Sequence, residues 1–385
     1  MIADFLNLPP LYPITDATRP ESLADQVRAL GQAGFPLVQF RGKPLDPKAQ
    51  WEQLRQALTE AAANGGWPQI CVNDRADLAV LAAQEGLPPW GLHLGQGDLP
   101  PAEALRLPGL SSLHVGASTH SLEEWASVDS NCDHAGVGPF RATTTKGDHA
   151  APIGLQGLHT GCLMLRSQGL APVAIGGLTE DDLHACYEAG AESLAMVGGI
   201  ARSESPRELL WRAQVSRWVA QPLQFRGGGL MLVGGSGCGK SALGRALGQR
   251  TGLPVVDLDA AVESAAGKPI AQIFAEASEA VFRDMEVRAL RGALASPCIL
   301  ALGGGAWASG DIRKLAQDSD FQVLWINENP ATAWDRIAHD PARPLAKNRA
   351  DFMARWRHRM VHWDGLPMIL PLGRSPERLA EAMGA

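Results

Sequence analysis

Short apolar runs alternate with amphipathic stretches through the first half of the chain. The runs are LYPIT (11–15), LVQFR (37–41), QICVN (69–73), GLHLG (91–95), LHVGAS (113–118), HAGVGP (134–139), VAIGG (173–177) and SLAMVGG (193–199). Each has the length and bounding residues of a buried strand. Between them, segments such as 22–34, 51–65 and 181–190 carry apolar residues at helical spacing, and several end in Gly, the usual residue for closing a helix. Eight strands, each followed by a helix, predict a (β/α)8 TIM barrel, with an open doubly wound sheet as the alternative that the pattern leaves.

The pattern restarts after a helix predicted over 205–220. The stretch QPLQFRGGG (221–229) interrupts it, and apolar runs resume at 230–234, 255–259, 298–302, 321–326 and 368–372. This order predicts a second α/β domain around a parallel sheet. The expected boundaries are a barrel over 1–221, a linker over 222–229 and a second domain over 230–385.

Composition agrees with this division. At about 150 residues per domain, 385 residues suggest two to three domains. Net charge is −7, with no basic run, which argues against nucleic-acid or anionic-membrane binding. Six cysteines without a C-x-x-C pair read as reduced thiols. The N-terminus lacks the pattern of a signal peptide and no apolar stretch has the length of a membrane span, so a soluble, cytoplasmic protein is expected.

In a TIM barrel, chemistry gathers at the C-terminal ends of strands. Those ends carry Arg41 and Lys43; Asn73 and Asp74; Gln96 and Asp98; Ser118 and His120; Thr143, Thr145 and Lys146; then Gly176-Gly177 and Gly198-Gly199. Two carboxylates beside an Asn suit Mg²⁺, which takes oxygen ligands and keeps waters for a phosphate to displace. Arg and Lys add charge-assisted bonds to phosphate oxygens, and glycines after the last two strands let backbone N–H groups approach a phosphate. The set predicts a diphosphate–Mg²⁺ substrate and a second, monophosphate-bearing one. His93, His114, His120 and His134 match no zinc spacing and are expected to be packed or hydrogen-bonded.

The motifs LYPITD, VQFRGK, VNDRADLA, GLHLGQGDL, VGASTH, GVGPFRATTTK, VAIGG and a closing GG resemble thiamine-phosphate synthase over residues 10–215. The resemblance implies coupling of hydroxymethylpyrimidine diphosphate to thiazole monophosphate, with pyrophosphate leaving first and the thiazole nitrogen attacking the resulting cation. It implies that Asp74 and Asp98 hold Mg²⁺. Gln39, Arg41, Lys43, Asn73, Thr143 and Thr145 would bind the diphosphate and pyrimidine, Lys146 and Ser118 would act at the reacting centre, and Gly177, Gly198 and Gly199 would seat the thiazole phosphate. Two departures stand out. Gly42 replaces a usual Glu, and Gly198 replaces a usual Ser, which removes a hydroxyl donor and implies weaker thiazole-phosphate binding without loss of the chemistry. A related thiazole tautomerase shares the fold but lacks the full set of Asp74, Asp98 and Lys146.

The second half opens with Gly234-Gly235-Ser236-Gly237-Cys238-Gly239-Lys240-Ser241, a full G-x-x-x-x-G-K-[ST] match after an apolar strand and before a predicted helix. Its backbone would cradle ATP phosphates, Lys240 would reach the β/γ-phosphates and Ser241 would ligate Mg²⁺; Cys238 is read as incidental. With the strand-terminal Asp257-Leu258-Asp259, Glu263, Phe282-Arg283-Asp284-Met285-Glu286, Gly303-Gly304-Gly305 and Arg343-Pro344-Leu345, it resembles shikimate kinase over residues 230–385. That resemblance implies a P-loop fold of the nucleoside-monophosphate-kinase type. Asp257 would lie at Mg²⁺ and Arg343, in a lid, on ATP phosphates. Asp259, Arg283, Gly304, Gly305 and Arg359 would bind the acceptor, with Asp259 placed to take its proton. The segment Arg359-Met360-Val361-His362-Trp363 departs from the family's tail, as does Ser278 before Glu279. Three readings of this domain stay open: a shikimate or related hydroxy-acid kinase, a kinase of another acceptor such as the pyrimidine alcohol, or a nucleotide-binding regulator.

Overall fold

The computed structural model describes residues 6–142, 151–223, 229–339 and 348–384. The chain divides into two compact units between Gln221 and Pro222.

In the first unit, β1 (Leu11–Pro13), β2 (Leu37–Phe40), β3 (Gln69–Asn73), β4 (Gly91–Leu94), β5 (His114–Thr119), β6 (His134–Val137), β7 (Ala171–Ile175) and β8 (Ser193–Met196) form one parallel sheet in the order β1-β8-β7-β6-β5-β4-β3-β2. The two ends meet where the Thr15 N–H donates to the Gln39 carbonyl at 3.0 Å and Ile14 bridges Gln39 in parallel register. The sheet is therefore a barrel, and the open-sheet alternative falls. Leu8, Tyr12, Leu37, Cys71, Ala171, Val173 and Ala195 pack one buried cluster; each Leu withdrawn from water contributes roughly 1.5–3 kcal/mol.

Helix ends follow local chemistry. Ser22 accepts from the Asp25 N–H ahead of Leu23–Ala33, and Gly34 closes that helix at φ 105°. The next helix starts earlier than periodicity suggests, at Pro47, because Asp46 caps the Lys48 and Ala49 N–H groups and proline suits the first turn. Arg217, on the helix Pro206–Ala220, donates to the Leu8 and Glu192 carbonyls and pairs with the buried Glu192 carboxylate, tying that helix to the barrel.

In the second unit, β9 (Gly229–Val233), β10 (Val255–Asp257), β11 (Cys298–Ala301), β12 (Phe321–Ile326) and β13 (Met368–Ile369) form a parallel sheet ordered β10-β11-β9-β12-β13. The P-loop leaves the central strand β9, at the carboxyl edge where open parallel sheets bind ligands. β10 ends at Asp257, which caps the helix Leu258–Ala266, so Asp259 stands on a first helical turn and not on a strand end. The cap explains the difference: the Asp257 carboxylate takes up the free N–H groups of Asp259 and Ala260, and the helix starts there. All six cysteines are buried free thiols. No helix among the described residues is long and apolar enough to cross a membrane.

Candidate active site

At the barrel mouth, the loop after β2 is pinned from β1. The Arg41 N–H donates to Thr15 Oγ1 at 2.9 Å and the Thr15 hydroxyl donates to the Arg41 carbonyl at 3.3 Å. Lys43 Nζ lies 2.5 Å from Asp74 Oδ2. Asp74, just past β3, has φ 61°, and its N–H donates to the His93 carbonyl on β4. Asp98 is held by the Gly95 N–H at 2.7 Å.

Asp74 and Asp98 lie close enough to shift each other's ionisation. Burial pushes the Asp98 carboxyl up, and Asp74 adds to this against the Gly95 donor. Burial also opposes charge on Asp74, yet Lys43 and Asp98 hold it below its ordinary value. Neighbouring carboxylates favour a cation beside them, which Lys43 supplies on Asp74. Their oxygen-only donor set fits Mg²⁺. Among the described residues no cluster of three or more His, Cys, Asp or Glu side chains forms a metal cage.

Ser118 ends up beside a residue that sequence spacing did not single out for chemistry. His93 Nε2 lies 3.0 Å from Ser118 Oγ, while Gln96 Nε2 donates to the Ser118 carbonyl at 2.7 Å. Gln39 is buried in β2 near the Tyr12 hydroxyl. His114 faces Asp133 at 3.4 Å and His120 faces Glu124 at 3.1 Å, as packed or bonded side chains should. His134 differs: it is fully buried, neither ring nitrogen has a hydrogen-bond partner, and burial pushes its pKa down to about 3.

The loops after β6, β7 and β8 converge. Gly176 and Gly177 take φ 96° and 67°, left-handed values that a β-carbon disfavours. Arg141 beside them forms a two-pronged ion pair with Asp182. Gly198 and Gly199 open the short helix Gly198–Ala201 beyond β8. Thr143, Thr145 and Lys146 lie outside the described residues.

In the second unit, Lys240 is buried against its own loop, its ammonium donating to the Gly234 and Gly235 carbonyls at 2.8 and 2.9 Å. Ser241 Oγ donates to Asp257 Oδ2 at 2.5 Å, which brings together two oxygen ligands suited to the Mg²⁺ of a nucleotide. Cys238 is buried rather than facing an open loop, with its Sγ 3.6 Å from the Lys240 ammonium. The Trp356 ring lies over Gly235.

The glycine turn after β11 is where side chains from several elements meet. A β-carbon on Gly304 would stand 2.3 Å from Ser236 Oγ, and one on Gly303 2.4 Å from Asp259 Oδ1. Arg359 donates to the Gly304 carbonyl at 3.1 Å, and both Arg359 and Arg283 border Gly305. Arg283 is oriented by Glu286 at 2.6 Å and Glu279 at 2.9 Å. Burial, then Arg283 and Arg355, pull the Arg359 pKa down. Two guanidiniums pressed together favour an anion between them, so the turn can seat an acidic acceptor with Asp259 at its edge. Glu263 instead accepts from the Ile270 N–H at 2.9 Å. Arg343 lies outside the described residues.

Comparisons with known proteins divide at the same place. Residues 11–200 match the family model for thiamine monophosphate synthase and 236–361 that for shikimate kinase. A thiamine-phosphate synthase from Corynebacterium efficiens is 34% identical over 200 residues, covering 51% of this chain and 88% of that protein. One from Chloroflexus aurantiacus is 37% identical over 198 residues, covering 50% and 86%. A shikimate kinase from Ruegeria pomeroyi is 40% identical over 119 residues; the match takes in 31% of this chain and 60% of that protein's length. Through its barrel the chain belongs to the thiamine-phosphate synthase family, and it carries beside that barrel a shikimate-kinase-like unit.

Proposed function

We propose that the protein is a bifunctional transferase. The barrel couples hydroxymethylpyrimidine diphosphate with thiazole monophosphate, releasing pyrophosphate, and the second unit phosphorylates shikimate or a similar small hydroxy acid with ATP. The observation that carries the first activity is the Lys43–Asp74–Asp98 constellation at the mouth of a barrel in this family. Mg²⁺ on Asp74 and Asp98 would neutralise the diphosphate as it departs. Arg41 and Lys43 supply fixed positive charge to the same oxygens, and Ser118, steadied by His93, offers a hydroxyl to the substrate.

The kinase reading rests on Arg359 reaching the Gly303–Gly305 turn beside Arg283 in spite of the altered residues after it. This pocket suits a carboxylate better than an uncharged pyrimidine alcohol. A regulator would bind ATP without acceptor-dependent turnover. ADP release from Mg-ATP, measured with shikimate, with hydroxymethylpyrimidine and with no acceptor, tests the assignment. Stimulation by shikimate is the expected outcome; no stimulation by any acceptor would sink the kinase reading. For the barrel, pyrophosphate release should require both substrates and Mg²⁺.

A further inference from the structure

The loop after β8 contains a cation that has no assigned work. Arg202 follows the short helix Gly198–Ala201, and its guanidinium folds back over the helix start. A β-carbon on Gly198 would stand 2.6 Å from Arg202 Nη1, so a larger residue at 198 would push the guanidinium away. Arg141, in the residues after β6, is neutralised by Asp182, whereas Arg202 has no ion-pair partner among the described residues. The loops after β7 and β8 also touch, with the β-position of Gly199 2.9 Å from the Leu178 carbonyl. In (β/α)8 barrels this is the region where a phosphate is commonly seated.

We propose that Arg202 recognises the phosphate of the thiazole substrate, and that Gly198 is the residue that admits it. The inference rests on the synthase reading and concerns one subsite of it. The missing hydroxyl at 198 is then one half of an exchange: a neutral donor is given up, and a guanidinium takes the space. A guanidinium offers two parallel N–H donors to phosphate oxygens together with its charge, which a hydroxyl cannot match. Thiazole-phosphate binding is therefore retained, in contrast to the weakening that the loss of serine alone implies.

The test is steady-state pyrophosphate release by the full-length protein with each substrate varied in turn, for wild type, Arg202→Ala, Gly198→Ala and the double variant. Loss of a charge-assisted bond should raise KM for the thiazole phosphate about 10- to 100-fold in Arg202→Ala. KM for the pyrimidine diphosphate should stay within about twofold, and kcat should fall less than KM rises. Gly198→Ala should reproduce the effect by displacing the guanidinium, and the double variant should be no worse than Arg202→Ala alone. Calorimetric titration with thiazole phosphate and with its unphosphorylated alcohol gives an independent readout: wild type should prefer the phosphate, and Arg202→Ala should lose that preference. An unchanged thiazole-phosphate KM in Arg202→Ala, or an equal rise for both substrates, overturns the proposal while leaving the synthase reading intact. Wild type that neither turns over the substrate pair nor binds the thiazole phosphate would overturn both.

Discussion

His134 shows how one residue can set a property of the barrel. Its imidazole is fully buried, near His93 and His114, and its pKa is pushed down to about 3 chiefly by burial. An unfolded histidine titrates near 6.5. Between these values the unfolded chain binds a proton that the folded chain refuses, so stability rises with pH across that window and is lost as pH falls through it. From pH 7 to pH 5 this single group should cost about 2 kcal/mol. Urea unfolding of the barrel at the two pH values, in wild type and in His134→Phe, checks this. The variant should lose that share of the pH dependence, and identical pH profiles would rule the account out. The residue types were plain in the sequence, and the four histidines are packed or hydrogen-bonded as expected. That the His134 ring nitrogens lack hydrogen-bond partners was not legible, because it depends on which neighbours the barrel turns toward the ring.

Among the elements, the glycine turn after β11 bears most on chemistry. It meets the P-loop through Ser236, Asp259 through Gly303, and Arg359 from the helix Arg349–Trp363. Gly304→Ala would put a β-carbon 2.3 Å from Ser236 Oγ, closer than packed atoms tolerate. ATP-dependent turnover should fall at least about tenfold, since a misplacement of about 1 Å at reacting groups costs as much or more. Pyrophosphate release by the barrel should not change. A Gly304→Ala protein with full ADP release would show that the turn does not position the acceptor. The strand C-I-L-A and the three glycines were readable as a close-approach site; which groups approach was settled by β11 lying next to β9, a pairing between segments far apart in the chain.

For the whole molecule, two units with separate residue sets predict separable activities. Asp98→Ala should abolish pyrophosphate release and spare acceptor-dependent ADP formation, and Lys240→Ala should do the reverse; a variant that silences both activities would overturn this separation. Apolar runs, helical spacing and punctuation by glycine and proline were enough to read thirteen strands, because each reports burial over a few neighbouring residues, whereas closure of the first eight into a barrel rests on the meeting of Thr15 with Gln39. The P-loop and the Asp74 and Asp98 positions were equally local. What only the tertiary structure decided are the meetings between distant segments: Thr15 with Arg41, His93 with Ser118, Ser241 with Asp257 and Arg359 with Gly304. These depend on sheet order and on loop backbone angles. Sequence periodicity records which face of a strand or helix is buried, and carries no information about which other element that face will meet.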